Sequence, residues 1–277
     1  IEYLNHINKV FRNTQNNNKN LILLEYYPSW SSIIFFTYLI TTLKKKYNAR
    51  TVLYLPLKPN RLKIIFYNTI FKFKIAHFKI LSFFSNENLL IPNLSDIDPN
   101  NKYSKKLKSI KKKSDILELK FEGIKIGDLL YDSYLKKFNA YTIDLNSKEF
   151  KEYFKYFSNL FTFWFNYIKK NKVKSVIASH PVYENAIPLR ISYSLNNKDT
   201  FTASIHFTYR HSKKSQSIEY NVRNRFKRLT KNEKKRGLKI SRNNLIKKFK
   251  GTETMDTLLG ERTPITQKIN EKKINTS

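Results

Sequence analysis

Short runs of unbroken apolar residues, separated by a stretch with helical period, constrain this chain most. LILLE (Leu21–Glu25) and ARTVLYLPL (49–57) flank WSSIIFFTYLITTL. A run of four to eight apolar residues without alternation fits a strand buried on both faces. Strand, helix and strand within about 35 residues form a βαβ unit, which requires a parallel sheet. Pro56 ends the second strand, and Ser31 or Ser32 is placed to cap the helix that follows YYPSWSS and runs to about Lys46. The same pattern returns later. VKSVIAS (173–179) reads as a strand, HPVYENAIPLRISYSLNN as a turn and helix, and DTFTASIHF (199–207) as a further strand. Two such units make a doubly wound, mostly parallel Rossmann-like α/β sheet.

Between them, residues 61–74 read as a helix and 76–84 (AHFKILSFF) as a strand. NENLLIPNLSDIDPNNKYSKK reads as a loop, and the basic run Lys105–Lys113 as solvated. Residues 147–171 carry the clearest helical signal. Phe150, Phe154, Phe157, Phe161, Trp164 and Ile168 recur at three- and four-residue steps, which is the pattern of a core-facing stripe. The expected organisation is a polar, Asn-rich lead-in over 1–20, a Rossmann-like domain over 21–215 and a basic extension over 216–277. The last carries Arg223, Arg225, Arg228, Arg236 and Arg242 among many Lys.

Composition sets limits. The chain has 277 residues, enough for a substantial core, and 21 Phe with 18 Tyr exclude a wholly disordered chain. Without Cys there is no disulfide, thiolate metal site or Cys nucleophile. The apolar run from Trp30 spans about 14 residues, short of the ~20 a bilayer needs. A formal charge of +32 points to an anionic partner, either nucleic acid or a membrane surface. The abundance of Lys, Asn, Ile, Phe and Tyr also fits AT-rich coding, which supplies Lys without any partner. The chain opens on Ile1 and closes on a polar tail, as a fragment cut at both ends would.

No glycine-rich phosphate loop, HExxH or GxSxG pattern is present. DID (Asp96–Asp98) matches a metal-holding DxD formally, in a polar loop where chance matches are common. Open parallel sheets bind ligands beyond the carboxyl ends of their strands, which selects three places. Glu25–Ser32 precedes a helix whose N-terminus can hold an anion, although ordinary capping explains it as well. Ser179–Glu184 (SHPVYE) puts His180 directly after a buried strand, as an acid/base group, a donor to phosphate or sugar, or a histidine bonded to its own turn. His206, Arg210 and His211 follow the last expected strand and read more readily as structural.

FEGIKIGDLLYDSY (121–134) holds Gly123 and Gly127, two of only 5 Gly. Gly127 fits a positive-φ turn or a close backbone contact. Asp128 sits as an N-cap, with Asp132 one turn later on the same face. Capping explains both acids, and a base or hydroxyl-binding role is the alternative.

Two segments together resemble the N-terminal half of bacterial glycosyltransferases from capsule and O-antigen clusters. There, Gly-x-x-x-Gly-Asp-Leu-x-Tyr-Asp precedes a strand ending in Ser-His-x-x-Tyr. The matching residues are Gly123, Gly127, Asp128, Tyr131, Asp132, Ser179, His180 and Tyr183, within a likeness spanning about 20–215. The resemblance implies one half of a GT-B-like arrangement that receives the acceptor, with the nucleotide sugar on a second half that these residues do not include. It implies His180, Asp128 or Asp132 as the group that deprotonates or orients the acceptor. Gly127, Tyr131, Ser179, Tyr183 and Glu184 would line the substrate. It implies no cofactor and no metal, a saccharide or lipid-linked saccharide acceptor, and a cytoplasmic location at the inner membrane face, held by anionic lipid. The small residue usual after Ser-His-x-x-Tyr is replaced by Glu184-Asn185-Ala186. Two other readings stand beside it: a nucleic-acid-binding protein using the basic 220–250 region, and a non-catalytic Rossmann-like domain.

Overall fold

The computed structural model describes residues 5–6, 9, 19–75, 77–85, 89–94, 103–195, 199–203, 208–212, 226–249, 254–256 and 262–264. The chain divides into two compact units, 1–217 and 218–277.

In the first unit, β1 (Asn20–Glu25) leads into α1 (Trp30–Tyr47) and β2 (Arg50–Tyr54), then α2 (Arg61–Lys72) and α3 (His77–Leu81). After α4 (Ser104–Ser109) and α5 (Lys113–Leu117), a small antiparallel hairpin pairs β3 (Lys120–Phe121) with β4 (Ile124–Lys125). Then come α6 (Gly127–Phe138), α7 (Lys148–Lys170) and β5 (Lys172–Ala178). A single 3₁₀ turn, Glu184–Ala186, opens α8 (Ile187–Ser194), followed by β6 (Asp199–Ala203) and β7 (Thr208–His211). The main sheet has the order β2-β1-β5-β6-β7. All its pairings are parallel except β6 with β7. The apolar runs therefore do form buried strands, and every residue from Leu21 to Glu25 is buried.

Alternate residues of each strand face opposite sides, and each side carries its own core. Leu21, Leu23, Val52, Tyr54, Val176 and Ala178 pack with α6, α7 and α8. Ile22, Leu24, Leu53 and Ile177 pack with α1 and the α3 segment. The aromatic stripe of α7 is wholly buried, and Trp164 Nε1 donates to the Pro56 carbonyl at 2.9 Å. Ser147 caps this helix by accepting from Phe150 N.

Four sequence expectations need correction. The stretch expected as a strand over 76–84 contains α3. Phe78, Leu81 and Phe84 recur every third residue and are buried, so helical period wins over apolar content. The residue preceding α1 is Ser29, not Ser31 or Ser32, and Ser32 is buried within the first turn. The end of the expected loop is helical, since α4 begins at Ser104. Residues 208–211, placed after the last expected strand, form one more strand, the antiparallel edge β7. The Lys of 105–113 are exposed as expected. The second unit contains α9 (Lys231–Phe249) and an antiparallel pair, β8 (Thr254–Asp256) with β9 (Arg262–Pro264).

Candidate functional site

From β1 the chain moves to β2 on one side and later to β5 on the other, so the strand order reverses between β1 and β5. The carboxyl ends of these two strands carry Glu25 and Ser179-His180. Parallel pairing of β1 with β5 brings them together from 154 positions apart. One carboxylate oxygen of Glu25 accepts from Ser179 N at 2.5 Å and from Ser179 Oγ at 2.9 Å. Ser179 Oγ in turn shares a hydrogen bond of 2.8 Å with His180 Nδ1. The result is an acid, a hydroxyl and an imidazole in one hydrogen-bonded row at the sheet's switch point.

Burial disfavours the Glu25 carboxylate and pushes its pKa up to about 7, against the opposing pull of the two Ser179 bonds. His180 is held below its ordinary value, first by burial and then by the nearby Lys136 ammonium. The row therefore carries its titrating proton near neutrality while His180 stays uncharged. The Tyr27 ring meets the His180 ring edge-on, with centroids 5.6 Å apart.

The two sequence segments that carry the family resemblance meet here. Lys136 of α6 lies over the Tyr183 ring at 4.1 Å. Tyr183 has φ 59° and ψ −171°, a conformation almost reserved for glycine. Glu184 accepts from the Tyr153 hydroxyl of α7. Burial first, then the Glu184 charge, drives the Tyr153 pKa far upward, so the phenol stays a donor.

The acids of α6 take other roles. Gly127, not Asp128, begins the helix, after Ile126. Gly127 has no positive φ; a Cβ there would lie 1.7 Å from the Ile116 carbonyl oxygen, so a close backbone contact is what requires glycine. Asp128 is held by Arg190 of α8 through two bonds, Nη1 to Oδ1 at 3.0 Å and Nη2 to Oδ2 at 2.7 Å. Arg190 is buried and also donates to the Lys125 carbonyl at 2.9 Å. This clamp ties α6 to α8 and occupies the carboxylate a base would need. Asp132 is exposed, with its pKa raised by partial burial and by Asp128. Tyr131 is half-buried against the core.

The third place is structural. Arg210 pairs with Asp199 at 2.8 Å, and Lys46 joins the same carboxyl group at 2.6 Å. His211 is buried, bonded through Nε2 to Thr202 Oγ1 at 2.7 Å and stacked on Tyr193. His206 and the Asp96–Asp98 triplet lie outside the described residues. Among the described residues no cluster of three His, Asp or Glu could hold a metal ion. A separate cleft of 940 Å³ borders Val52, Phe71, Lys72, Ser85 and Leu90; none of its lining residues comes from β1 or β5.

Glu25 is the residue that sequence reasoning passed over as a chemical group. A lone acid closing a strand of four apolar residues was its only visible sign. Lys136 and Arg190 left no sign at all, because their partners are remote in sequence. No family model, curated protein or solved structure matches the chain, so the site stands on its own geometry.

Proposed function

We propose that residues 1–217 serve the acceptor side of a glycosyl transfer, as the N-terminal half of a GT-B-like enzyme of surface-polysaccharide synthesis. The observation that carries this reading is the Glu25–Ser179–His180 row at the switch point. With Glu25 ionised, Ser179 Oγ donates to it and His180 Nδ1–H donates to Ser179, which leaves Nε2 with a free lone pair. Nε2 then takes the proton of an acceptor hydroxyl as that oxygen attacks the anomeric carbon of a nucleotide sugar. The anomeric carbon–phosphate oxygen bond breaks, and the nucleoside diphosphate leaves with the electron pair. The Glu25 charge stabilises the imidazolium through Ser179. The Tyr183 ring and the Lys136 ammonium offer a surface for stacking and hydrogen bonding with a saccharide. Asp128 and Arg190 act as a structural clamp between α6 and α8, and the lining role of Gly127 is to let α6 approach Ile116.

The test is transfer from a panel of nucleotide sugars to surface-polysaccharide acceptors, followed by mass spectrometry, using the reading frame that contains this chain. His180→Ala is expected to lower the rate by ~10²-fold or more while the fold persists. Transfer at the parent rate in that variant would remove His180 from the chemistry.

A second reading has its own support. α9 carries Lys231, Lys234, Lys235, Arg236, Lys239 and Arg242, all but Lys234 exposed, against the single acid Glu233. Such a helix would bind nucleic acid with a steep salt dependence. Loss of binding on reversing Arg236 and Lys239 would favour it over the glycosyl-transfer reading.

A further inference from the structure

The helix α2 is built inside out. None of its residues is buried. Leu62, Ile65 and Phe66 are 78%, 63% and 58% exposed, and Phe73, just past its end, is 64% exposed. At about 100° per residue, Ile65, Phe66, Thr69 and Phe73 all fall within roughly 60° of Leu62. They form one outward apolar stripe. Arg61 and Lys72 border it on one side and Lys63 on the other. The helix is held to the body by its opposite edge, where the Tyr67 ring meets Tyr26 at 5.7 Å and Phe71 meets Phe78 at 5.1 Å. An ordinary surface helix would turn its Lys outward and its Phe inward.

The charge around the stripe narrows what can cover it. Residues 26–86 contain ten Lys or Arg and no Asp or Glu. A helix with apolar residues along its crest and cations along both flanks matches the interface of an anionic bilayer. The apolar crest enters the acyl boundary, and the Lys and Arg stems reach back to the phosphates. No described helix is long and apolar enough to cross a membrane, so α2 would lie in the plane of the surface. Tyr26 directly follows Glu25, so this helix packs close to the carboxyl end of β1.

We propose that α2 is a membrane-docking helix that inserts Leu62, Ile65, Phe66 and Phe73 into the headgroup region of an anionic lipid bilayer. The inference does not depend on the glycosyl-transfer reading, and its test needs no enzymatic activity.

A chain of charge +32 adsorbs to anionic vesicles at low salt by long-range attraction alone. The informative condition is therefore ~0.5 M salt, where exposed charges are strongly screened. The whole chain is expected to remain on phosphatidylglycerol-containing vesicles at that salt through its apolar side chains, and to prefer them over pure phosphatidylcholine at ~0.1 M salt, where its cations still act. The triple variant Leu62→Ser, Phe66→Ser, Phe73→Ser should partition at least ~10-fold less, since each lost side chain removes apolar burial in the bilayer. All three residues are exposed, so its circular dichroism should match the parent. A second measurement places Trp at position 66 (Phe66→Trp, with Trp30→Phe) and subtracts the signal of Trp30→Phe alone, which comes from the buried Trp164. Acyl chains brominated near the headgroup should quench its fluorescence. Equal retention of parent and triple variant at high salt would overturn the proposal, as would an unquenched Trp in the bound protein. A parent dimer that the triple variant dissociates, with no change in vesicle binding, would also overturn it and reassign the face to self-association.

Discussion

The Glu25–Ser179–His180 row has two possible directions of hydrogen bonding, and the Glu25 proton selects between them. An ionised Glu25 leaves His180 Nε2 bare, as the proposed reaction needs. A protonated Glu25 donates to Ser179 Oγ, which then donates to Nδ1 and moves the imidazole hydrogen to Nε2. Since the Glu25 pKa is about 7, the tautomer should exchange near neutrality. Nitrogen chemical shifts of His180 are expected to show two steps, one near pH 7 from Glu25 and one lower from the ring itself. In Glu25→Gln only the lower step should survive; an unchanged upper step would disconnect Glu25 from the histidine. Tyr183 offers a second test at this scale. Its positive φ costs about 1–3 kcal/mol in a non-glycine residue. Tyr183→Gly should therefore leave the urea midpoint unchanged or raise it, despite losing the ring contact with Lys136. A clear fall in stability would show that the ring contact outweighs the strain.

Among the elements, the glycines separate three physical situations. At Gly127 an added Cβ would meet the Ile116 carbonyl at 1.7 Å, so Gly127→Ala must displace α5 or α6 and should cost ~3 kcal/mol. Gly123 lies in the hairpin turn after Glu122, both at positive φ, with open space around it. Gly123→Ala pays only for its backbone, ~1 kcal/mol. Gly237 stands mid-helix in α9 with nothing nearby, and Gly237→Ala should favour that helix by up to ~1 kcal/mol. Chemical denaturation of the three variants checks the order. The first of these was partly legible, because a glycine before two acids invites either a turn or a close contact, and the structure selects the contact. β1, β2, β5 and α7 were legible because their burial is written locally, as unbroken apolar runs or an aromatic stripe. β7 was not: only His211 of its four residues is buried, and its partner β6 alone makes it a strand. α3 was misread because a short apolar run fits both periods. Nor could the Asp128–Arg190 clamp be foreseen, since its partners stand 62 positions apart and nothing local marks either one.

For the molecule as a whole, two buried groups oppose each other in the response to pH. The Glu25 pKa is raised from 4.5 to about 7 by burial. Its stabilising share is full below pH 4.5 and is lost as the pH rises through about 7. His211 is lowered from 6.5 to about 4, by burial first and by Arg190 second. Its share is full above pH 6.5 and is lost as the pH falls toward about 4. Each shift corresponds to roughly 3 kcal/mol. Glu25 ends β1 and His211 lies on edge strand β7, with β5 and β6 between them, so the two effects should add. The windows overlap with opposite sign, and between about pH 4.5 and 6.5 the parent's stability should change little from these two groups. Removing either exposes the other. Glu25→Gln should become more stable with rising pH across that window, because only the His211 share remains. His211→Gln, which keeps a partner for Thr202, should become less stable over the same range. Urea midpoints at pH 5, 6, 7 and 8 decide it. Parallel profiles for the parent and both variants would mean that neither group titrates differently in the folded and unfolded chains. The same result at Glu25 would leave its carboxylate ionised throughout the neutral range and remove the cause of the His180 step expected near pH 7.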